Sequence, residues 1–129
     1  MPRVPAASQE LRFLKFIAEH GPMTVGRVVE TLGTELGLHR STVLTVMERL
    51  RRKGQLRRRK DAAGVYVYAS TLTHERLMQA TVGQFVERAL GGSVLPFAAW
   101  LSEHAEVSEN ELAELRHIVA RLRARKGDA

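Results

Sequence analysis

Apolar positions along the first half of the chain recur every three or four residues, which predicts three short helices. The repeats fall within residues 11–17, 25–36 and 43–50, and each gives a helix one apolar face. Capping residues and glycines fix their ends, because Ser and Thr favour helix starts and Gly favours helix ends. The expected limits are Ser8 to Gly21-Pro22, Thr24 to Gly37, and Arg40 or Ser41 to Lys53-Gly54.

The spacing of the apolar residues changes after Gly54 from a helical to an extended pattern. Residues 56–60 and 65–70 are extended stretches that flank the turn-forming tetrapeptide Asp61-Ala62-Ala63-Gly64, a pattern that predicts a β-hairpin. Three helices followed by a two-stranded hairpin describe a winged helix-turn-helix, in which the third helix enters a DNA major groove and the hairpin follows the DNA backbone.

The second half predicts three further helices. Thr73 to Leu90 is amphipathic, Ser93 to His104 is apolar almost all round, and Ser108 to Glu111 forms a capping box that opens a last helix. So short a segment buries little core by itself, which favours pairing with a second copy over packing on the first half. The residues expected in that dimer interface are Leu77, Phe85, Trp100, Leu112, Leu115, Ile118, Val119 and Leu122.

The predicted fold class is therefore mainly α with a small β-hairpin. Residues 1–71 are expected to form a winged-helix DNA-binding domain, and residues 72–129 a helical dimerisation domain.

The amino-acid composition and the absence of catalytic motifs exclude several classes of function. The chain has 129 residues and no cysteine, which excludes disulfides, thiolate metal sites and thiol nucleophiles. The five histidines are scattered, and neither a nucleophile elbow nor a glycine-rich phosphate loop is present. Without a signal peptide or a membrane-spanning run, the expectation is a cytoplasmic protein that is not an enzyme and has no cofactor, metal or membrane partner.

The positive charge lies in the first half of the chain. Residues 1–70 carry 13 basic and 6 acidic side chains, a net charge of +7, whereas residues 71–129 carry 7 and 8, a net charge of −1. From Arg49 to Lys60 eight basic residues occur without one acidic residue. A polyanion is the natural partner of such a distribution, although a charge run by itself is more often only a solvated basic face. The position of this run on the predicted third helix and hairpin favours double-stranded DNA.

The face of the third helix opposite its apolar stripe is expected to meet the DNA. Its short hydroxyl side chains lie near the N-terminal end, where such a helix reaches base edges, and its arginines lie further along. Leu44 either packs against the second helix or contacts a thymine methyl group, and Glu48 is expected to pair with a nearby arginine. Expected at the bases are Ser41, Thr42, Thr45 and Arg49, and at the DNA backbone Arg40, Arg52, Arg57, Arg58, Arg59, Lys60 and Tyr68.

Either face of the hairpin could meet phosphates. Arg58 and Lys60 share one face with Leu56, and Arg57 and Arg59 share the other. Tyr66 and Tyr68 favour packing within the hairpin, although a hydroxyl tip could reach a phosphate.

These residues resemble a known family. The stretch S-T-V-L-T-V-M-E-R-L-R-R-K-G (residues 41–54), followed by K-D-A-A-G-V-Y-V-Y, is similar to the recognition helix and wing of the BlaI/MecI (penicillinase repressor) family, which shares T-V-x-T-x-x-x-R-L-x-x-K-G. The similarity extends from S-Q-E-L-R-F-L-K-F-I (residues 8–17) to Gly91-Gly92 and S-E-N-E-L-A-E-L-R (residues 108–116).

The resemblance implies a homodimeric repressor that occludes a palindromic operator, with Thr42 and Thr45 at the bases. The alternative is a winged-helix module for protein interaction or nonspecific nucleic-acid binding. Two departures bear on regulation: Ala99-Trp100 stands where the penicillinase repressors have a cleaved Asn-Phe bond, and the cysteines of the copper-responsive branch are absent.

Overall fold

The computed structural model describes residues 8–104 and 106–127, which form two compact units, one up to Gly91 and one from Gly92. The helices are α1 (Ser8–His20), α2 (Val25–Val28), α3 (Thr34–Leu36), α4 (Arg40–Arg52), α5 (His74–Ala89), α6 (Leu95–His104) and α7 (Glu109–Gly127). A π-helical segment, Val29–Gly33, joins α2 directly to α3. The strands are β1 (Met23–Thr24), β2 (Leu56–Lys60) and β3 (Tyr66–Ser70).

Local capping signals place the helix starts where the sequence predicts them. The Thr24 hydroxyl accepts a hydrogen bond from the Arg27 amide at 3.1 Å, which caps α2. At the start of α7, the Ser108 hydroxyl accepts from the Glu111 amide at 3.1 Å, and the Glu111 carboxylate accepts from the Ser108 amide at 3.3 Å. This reciprocal pair is the predicted capping box, and it satisfies amides that the helix itself leaves without partners.

The hairpin belongs to a three-stranded antiparallel sheet of order β1-β3-β2. The first strand, which the sequence pattern does not predict, pairs Met23 with Tyr68. At the opposite end, the Asp61 carboxylate accepts hydrogen bonds from the Ala63 and Val65 amides, both at 2.9 Å, and Gly64 takes a φ of 78°. The tip is therefore a tight turn that needs an Asp and a Gly at these two positions. Residues 56–70 are called the wing below.

One apolar core holds the first unit together. Helix α4 contributes Val43, Val46, Met47 and Leu50, which are at most 3% exposed. These four residues follow the helical period, so one stripe of α4 is buried while the opposite stripe faces solvent. The other buried apolar residues are Phe13, Leu14, Ile17, Met23, Val25, Val28, Leu32, Leu56, Tyr68, Leu77 and Ala80.

Gly33 allows the π-helical segment to lie close to α4. A Cβ at this position would lie 3.3 Å from Val43 Cγ2 and 3.4 Å from the Val28 carbonyl oxygen. The first distance is tighter than ordinary van der Waals contact and the second is at its lower limit, so a larger residue would require the Val43 side chain to shift by a few tenths of an ångström.

The boundary between the compact units differs from the expected division at residues 71 and 72. The N-terminal half of α5 packs on the core of the first unit, where Leu77 and Ala80 are buried. In this half of α5, the apolar face predicted from the sequence therefore packs within the first unit. A dimerisation role for the segment from residue 72 onward stays a prediction.

Apolar side chains of the second unit are exposed. Trp100, Ile118, Val119 and Leu122 are each between 41% and 56% exposed, and Leu112 and Leu115 are half-buried. Within the described ranges, no helix is long and apolar enough to cross a membrane.

A buried carboxylate fixes the end of α4 to α1. The Glu10 side chain is 8% exposed and accepts hydrogen bonds from Lys53 Nζ at 3.0 Å and from Arg49 Nη1 at 3.3 Å. Burial raises the pKa of Glu10, but the hydrogen bonds and charges of Lys53 and Arg49 outweigh it, so that this pKa lies below its ordinary value.

Replacing this carboxylate by an amide should destabilise the fold in a pH-dependent way. We expect Glu10→Gln to lower the free energy of unfolding by about 1 kcal/mol near neutral pH, because both cations are half-exposed and solvent screens the pair. Since folding lowers the pKa of Glu10, its contribution is present above the ordinary carboxyl pKa and is lost as the pH falls through the folded-state pKa.

Urea unfolding of both proteins, near neutral pH and again below the folded-state pKa, measures this difference. Glu19→Gln, an exposed change on the same helix, is the matched control and should change stability by less than about 0.5 kcal/mol. A Glu10→Gln deficit that is equally large in acid would contradict the electrostatic explanation.

Candidate nucleic-acid interface

The solvent-facing stripe of α4 presents short hydroxyl side chains near its N-terminal end. Ser41, Thr42 and Thr45 are all exposed. The Thr45 hydroxyl donates to the Ser41 carbonyl at 2.8 Å, so its proton is engaged while its lone pairs and methyl group face outward. This stripe can thus offer acceptors and a small apolar contact to a ligand.

The helix also begins without a side-chain cap. Its N-cap residue, His39, makes no capping hydrogen bond. The first amides of α4 therefore point outward beside the hydroxyl stripe, a polarity that favours an anion.

Leu44 projects from α4 and is 43% exposed. More than two fifths of its side chain is therefore open to solvent. The exposed part is available for an apolar contact, such as the thymine methyl group considered from the sequence.

Glu48 gathers three donors around one carboxylate. Arg51 Nε lies 2.5 Å from Oε2, the Tyr68 hydroxyl donates to Oε1 at 3.2 Å, and Arg58 forms an ion pair with Oε1. The predicted local pairing is confirmed for Arg51. The contacts with the wing were not predicted, because they join residues 10 and 20 positions apart in the sequence.

This carboxylate is charged at neutral pH. Burial raises the pKa of Glu48, but the hydrogen bond and charge of Arg51, the charge of Arg58 and the Tyr68 hydroxyl together hold that pKa below its ordinary value.

The two faces of the wing differ in what they offer a ligand. On the inner face, Leu56 and Tyr68 are buried, and Arg58 lies between Glu48 and the Tyr66 ring, 4.0 Å from the ring centroid. On the outer face, Arg57 and Arg59 are exposed. The inner face is thus occupied by internal contacts next to α4, whereas the outer face presents free guanidinium groups.

Two expectations for individual residues are wrong. Tyr68 is 1% exposed and its hydroxyl binds Glu48, so it cannot present itself to a DNA phosphate. Leu77 is fully buried in the core of its own unit and cannot lie on a surface that a second copy covers. In both cases a pattern that suggested an interface reflects packing inside the chain.

The basic residues divide into two sets. Glu10 binds Arg49 and Lys53, and Glu48 binds Arg51 and Arg58. Of the expected DNA-contacting residues, Arg49 and Arg58 are therefore already paired. Across residues 8–104 and 106–127, no carboxylate pairs with the remaining cations of this surface, called the unpaired cations below: Arg40, Arg52, Arg57, Arg59 and Lys60.

The described residues contain no group of three or more histidines and carboxylates that could hold a metal ion. A charged, hydroxyl-bearing helix stripe beside a basic wing is an arrangement for binding an anionic polymer.

Comparison with known proteins agrees with this geometry. The penicillinase repressor family model matches residues 6–121. A penicillinase repressor from Bacillus licheniformis is 25% identical over 127 residues, which cover 98% of both chains.

Solved structures share the fold. The YusO protein from Bacillus subtilis superposes with a TM-score of 0.52 at 21% identity, over 92% of this chain and 74% of that one. A MarR family protein from Bacillus stearothermophilus superposes with a TM-score of 0.53 at 20% identity, over 96% of this chain and 77% of that one. The chain belongs to the penicillinase repressor family and is a DNA-binding transcriptional repressor rather than an enzyme.

Proposed function

We propose that this repressor acts as a homodimer in the cytoplasm and blocks transcription by occupying a palindromic operator. In this proposal α4 lies in the major groove and the wing follows the DNA backbone. The observation that carries it is the solvent-facing stripe of α4, where exposed hydroxyl groups stand next to unpaired cations. Hydroxyl groups suit base edges and cations suit phosphates, so one surface supplies both kinds of contact.

The hydroxyl groups suggest how bases are read. Because the Thr45 proton is bound to Ser41, this side chain can accept from an adenine or cytosine amino group or place its methyl group against thymine. Thr42 is exposed one helical turn earlier. We assign base contacts to Ser41, Thr42 and Thr45.

The wing contacts are assigned to its outer face and to Lys60. Arg57, Arg59 and Lys60 are exposed and unpaired, whereas Arg58 is already paired with Glu48. This choice also follows from energy, because a guanidinium that must first leave a carboxylate gains less from a phosphate than a solvated one.

A second copy of the chain is the proposed partner of the exposed apolar residues. On α7, Ile118, Val119 and Leu122 are between 41% and 52% exposed, and on α5 Phe85 is 50% exposed. Apolar surfaces of this kind mark interaction sites, and a symmetric dimer would present two α4 helices to two operator half-sites about one DNA turn apart.

Selection of bound sequences from a random DNA pool tests the proposed function. A selected duplex with two inverted half-sites, preferred over a scrambled duplex by at least about a thousandfold, is the expected result. Equal affinity for both duplexes would favour the alternative, a nonspecific nucleic-acid or protein-interaction module.

Removing either threonine hydroxyl should reduce selectivity. We expect Thr42→Ala or Thr45→Ala to weaken binding of the selected duplex by about 1–3 kcal/mol more than binding of the scrambled duplex, because bases differ in what they offer a hydroxyl group. Fluorescence anisotropy titrations with both duplexes measure the difference. Ser102→Ala, an exposed hydroxyl loss on α6, is the control, and an unchanged ratio in both threonine variants would refute the assigned stripe.

Removing an outer wing cation should weaken binding to all sequences. Arg59→Ala is expected to weaken both duplexes equally and to reduce the slope of log K against log salt by about 0.9, the value of one lost phosphate contact. Arg88→Ala on α5 makes the same charge change elsewhere and should leave the slope unchanged. Equal slopes for Arg59→Ala and the wild type would place the outer face away from DNA.

An acidic side chain on the apolar surface of α7 should prevent dimerisation. Leu122 is 52% exposed, so Leu122→Asp removes little packing within the chain but would place a charge in the proposed interface. We expect monomers in sedimentation experiments at concentrations where the wild type is a dimer. Ala124→Asp, two residues along the same exposed helix, should stay dimeric; a dimeric Leu122→Asp would exclude this surface.

A further inference from the structure

Glu48 connects α4 to both strands of the wing. Its partners on the wing are Arg58 from β2 and Tyr68 from β3, and these two residues lie directly opposite each other in the sheet. One carboxylate on the helix therefore holds one donor from each strand. The Glu48 side chain is only 18% exposed, so these contacts lie partly out of water, where charge-assisted hydrogen bonds are stronger.

The wing partners of Glu48 are themselves fixed. The Tyr68 ring is buried in the core, and the Arg58 guanidinium stacks over the Tyr66 ring at 4.0 Å. Arg58 is thus held between an aromatic face and a carboxylate, an arrangement that restricts its orientation. Movement of the wing away from α4 would have to break the contacts of Arg58 and Tyr68 with Glu48 and withdraw the Tyr68 ring from the core.

The same carboxylate also removes two cations from the DNA-binding surface. Arg51 and Arg58 lie close in sequence to the unpaired cations, but Glu48 forms an ion pair with each of them. Without that negative charge, both guanidinium groups would be free to bind phosphates of any sequence. Phosphate contacts add affinity for every sequence, so contacts made by the released arginines would strengthen binding to DNA of any sequence.

We propose that Glu48 is a positioning residue for DNA recognition, which holds the wing at a fixed distance from α4 and withholds Arg51 and Arg58 from phosphate contacts. The proposal rests on the proposed function, in which α4 and the wing bind the same DNA. It assigns two effects to one acidic residue inside a basic surface. The fixed wing supports selectivity, and the two withheld arginines limit affinity for DNA of any sequence.

Glu48→Gln tests the proposal, because the amide keeps the shape of the side chain and removes its charge. Binding is measured for the full chain over a series of salt concentrations, with the selected duplex and with a scrambled duplex of equal length. We expect the salt slope for the scrambled duplex to become steeper by about 0.9 for each released arginine. The ratio of the two affinities should fall on the order of tenfold, because the wing is then less firmly fixed to α4 and the contacts specific to the selected duplex weaken.

Glu35→Gln is the matched control. It makes the same change in net charge and frees Arg12, the exposed partner of Glu35 at 3.0 Å, outside α4 and the wing. Neither the salt slope nor the affinity ratio should change. If Glu35→Gln and Glu48→Gln behave alike, net charge alone explains the effect and the proposal is wrong.

Arg58→Ala gives a second, independent readout. If Arg58 positions the wing and does not touch phosphates, its removal should lower the affinity ratio while leaving the salt slope unchanged, in contrast to Arg59→Ala. A flatter slope in Arg58→Ala would show that Arg58 is a phosphate contact and would overturn the proposal. Circular dichroism confirms that each variant is folded before it is titrated.

Failure of the proposed function and failure of this inference are distinguishable. A wild-type protein that does not discriminate between the two duplexes refutes the proposed function. A selective wild-type protein whose Glu48→Gln variant keeps both slope and ratio refutes only the role of Glu48.

Discussion

Burial of one stripe of α4 is the contact on which the rest of the first unit depends. Val43, Val46, Met47 and Leu50 are almost fully removed from water, which orients the opposite stripe outward. The hydroxyl groups at the N-terminal end and the arginines further along owe their exposure to this orientation. A change that rotated α4 by a quarter turn would reduce core burial and would also turn away the stripe that we propose for DNA recognition.

The cations that α4 and the wing offer to a ligand depend on ion pairing as well as on the number of basic residues. The carboxylates Glu10 and Glu48 each bind two cations. Glu10 thereby connects α4 and its C-cap Lys53 to α1, and Glu48 connects α4 to the wing. The count of 13 basic side chains over residues 1–70 therefore overstates how many cations a polyanion meets directly. What remains is a smaller set of unpaired cations flanking the hydroxyl stripe.

Local signals in the sequence predict most of the helices and strands. Where the structure differs from those predictions, contacts between residues distant in sequence are the cause. Thr24 and Ser108 cap their helices by bonds to residues three positions away, so their roles can be read from a short window. Strand β1 has only two residues, too few to show an alternating pattern, and it forms because β3 lies beside it. The expectation of Tyr68 at the DNA backbone is wrong because its ring is buried in a core of residues distant in sequence, which no local pattern reveals.

Two contacts of Tyr68, one through its ring and one through its hydroxyl, fix the position of the wing. Because its ring lies in the core and its hydroxyl binds Glu48, the base of the wing can swing only if part of the core opens, which is a sub-global unfolding event rather than a hinge motion. An arm that is already ordered loses little conformational entropy when it meets a ligand. For this repressor, preorganisation of the wing leaves more of the contact energy available for affinity.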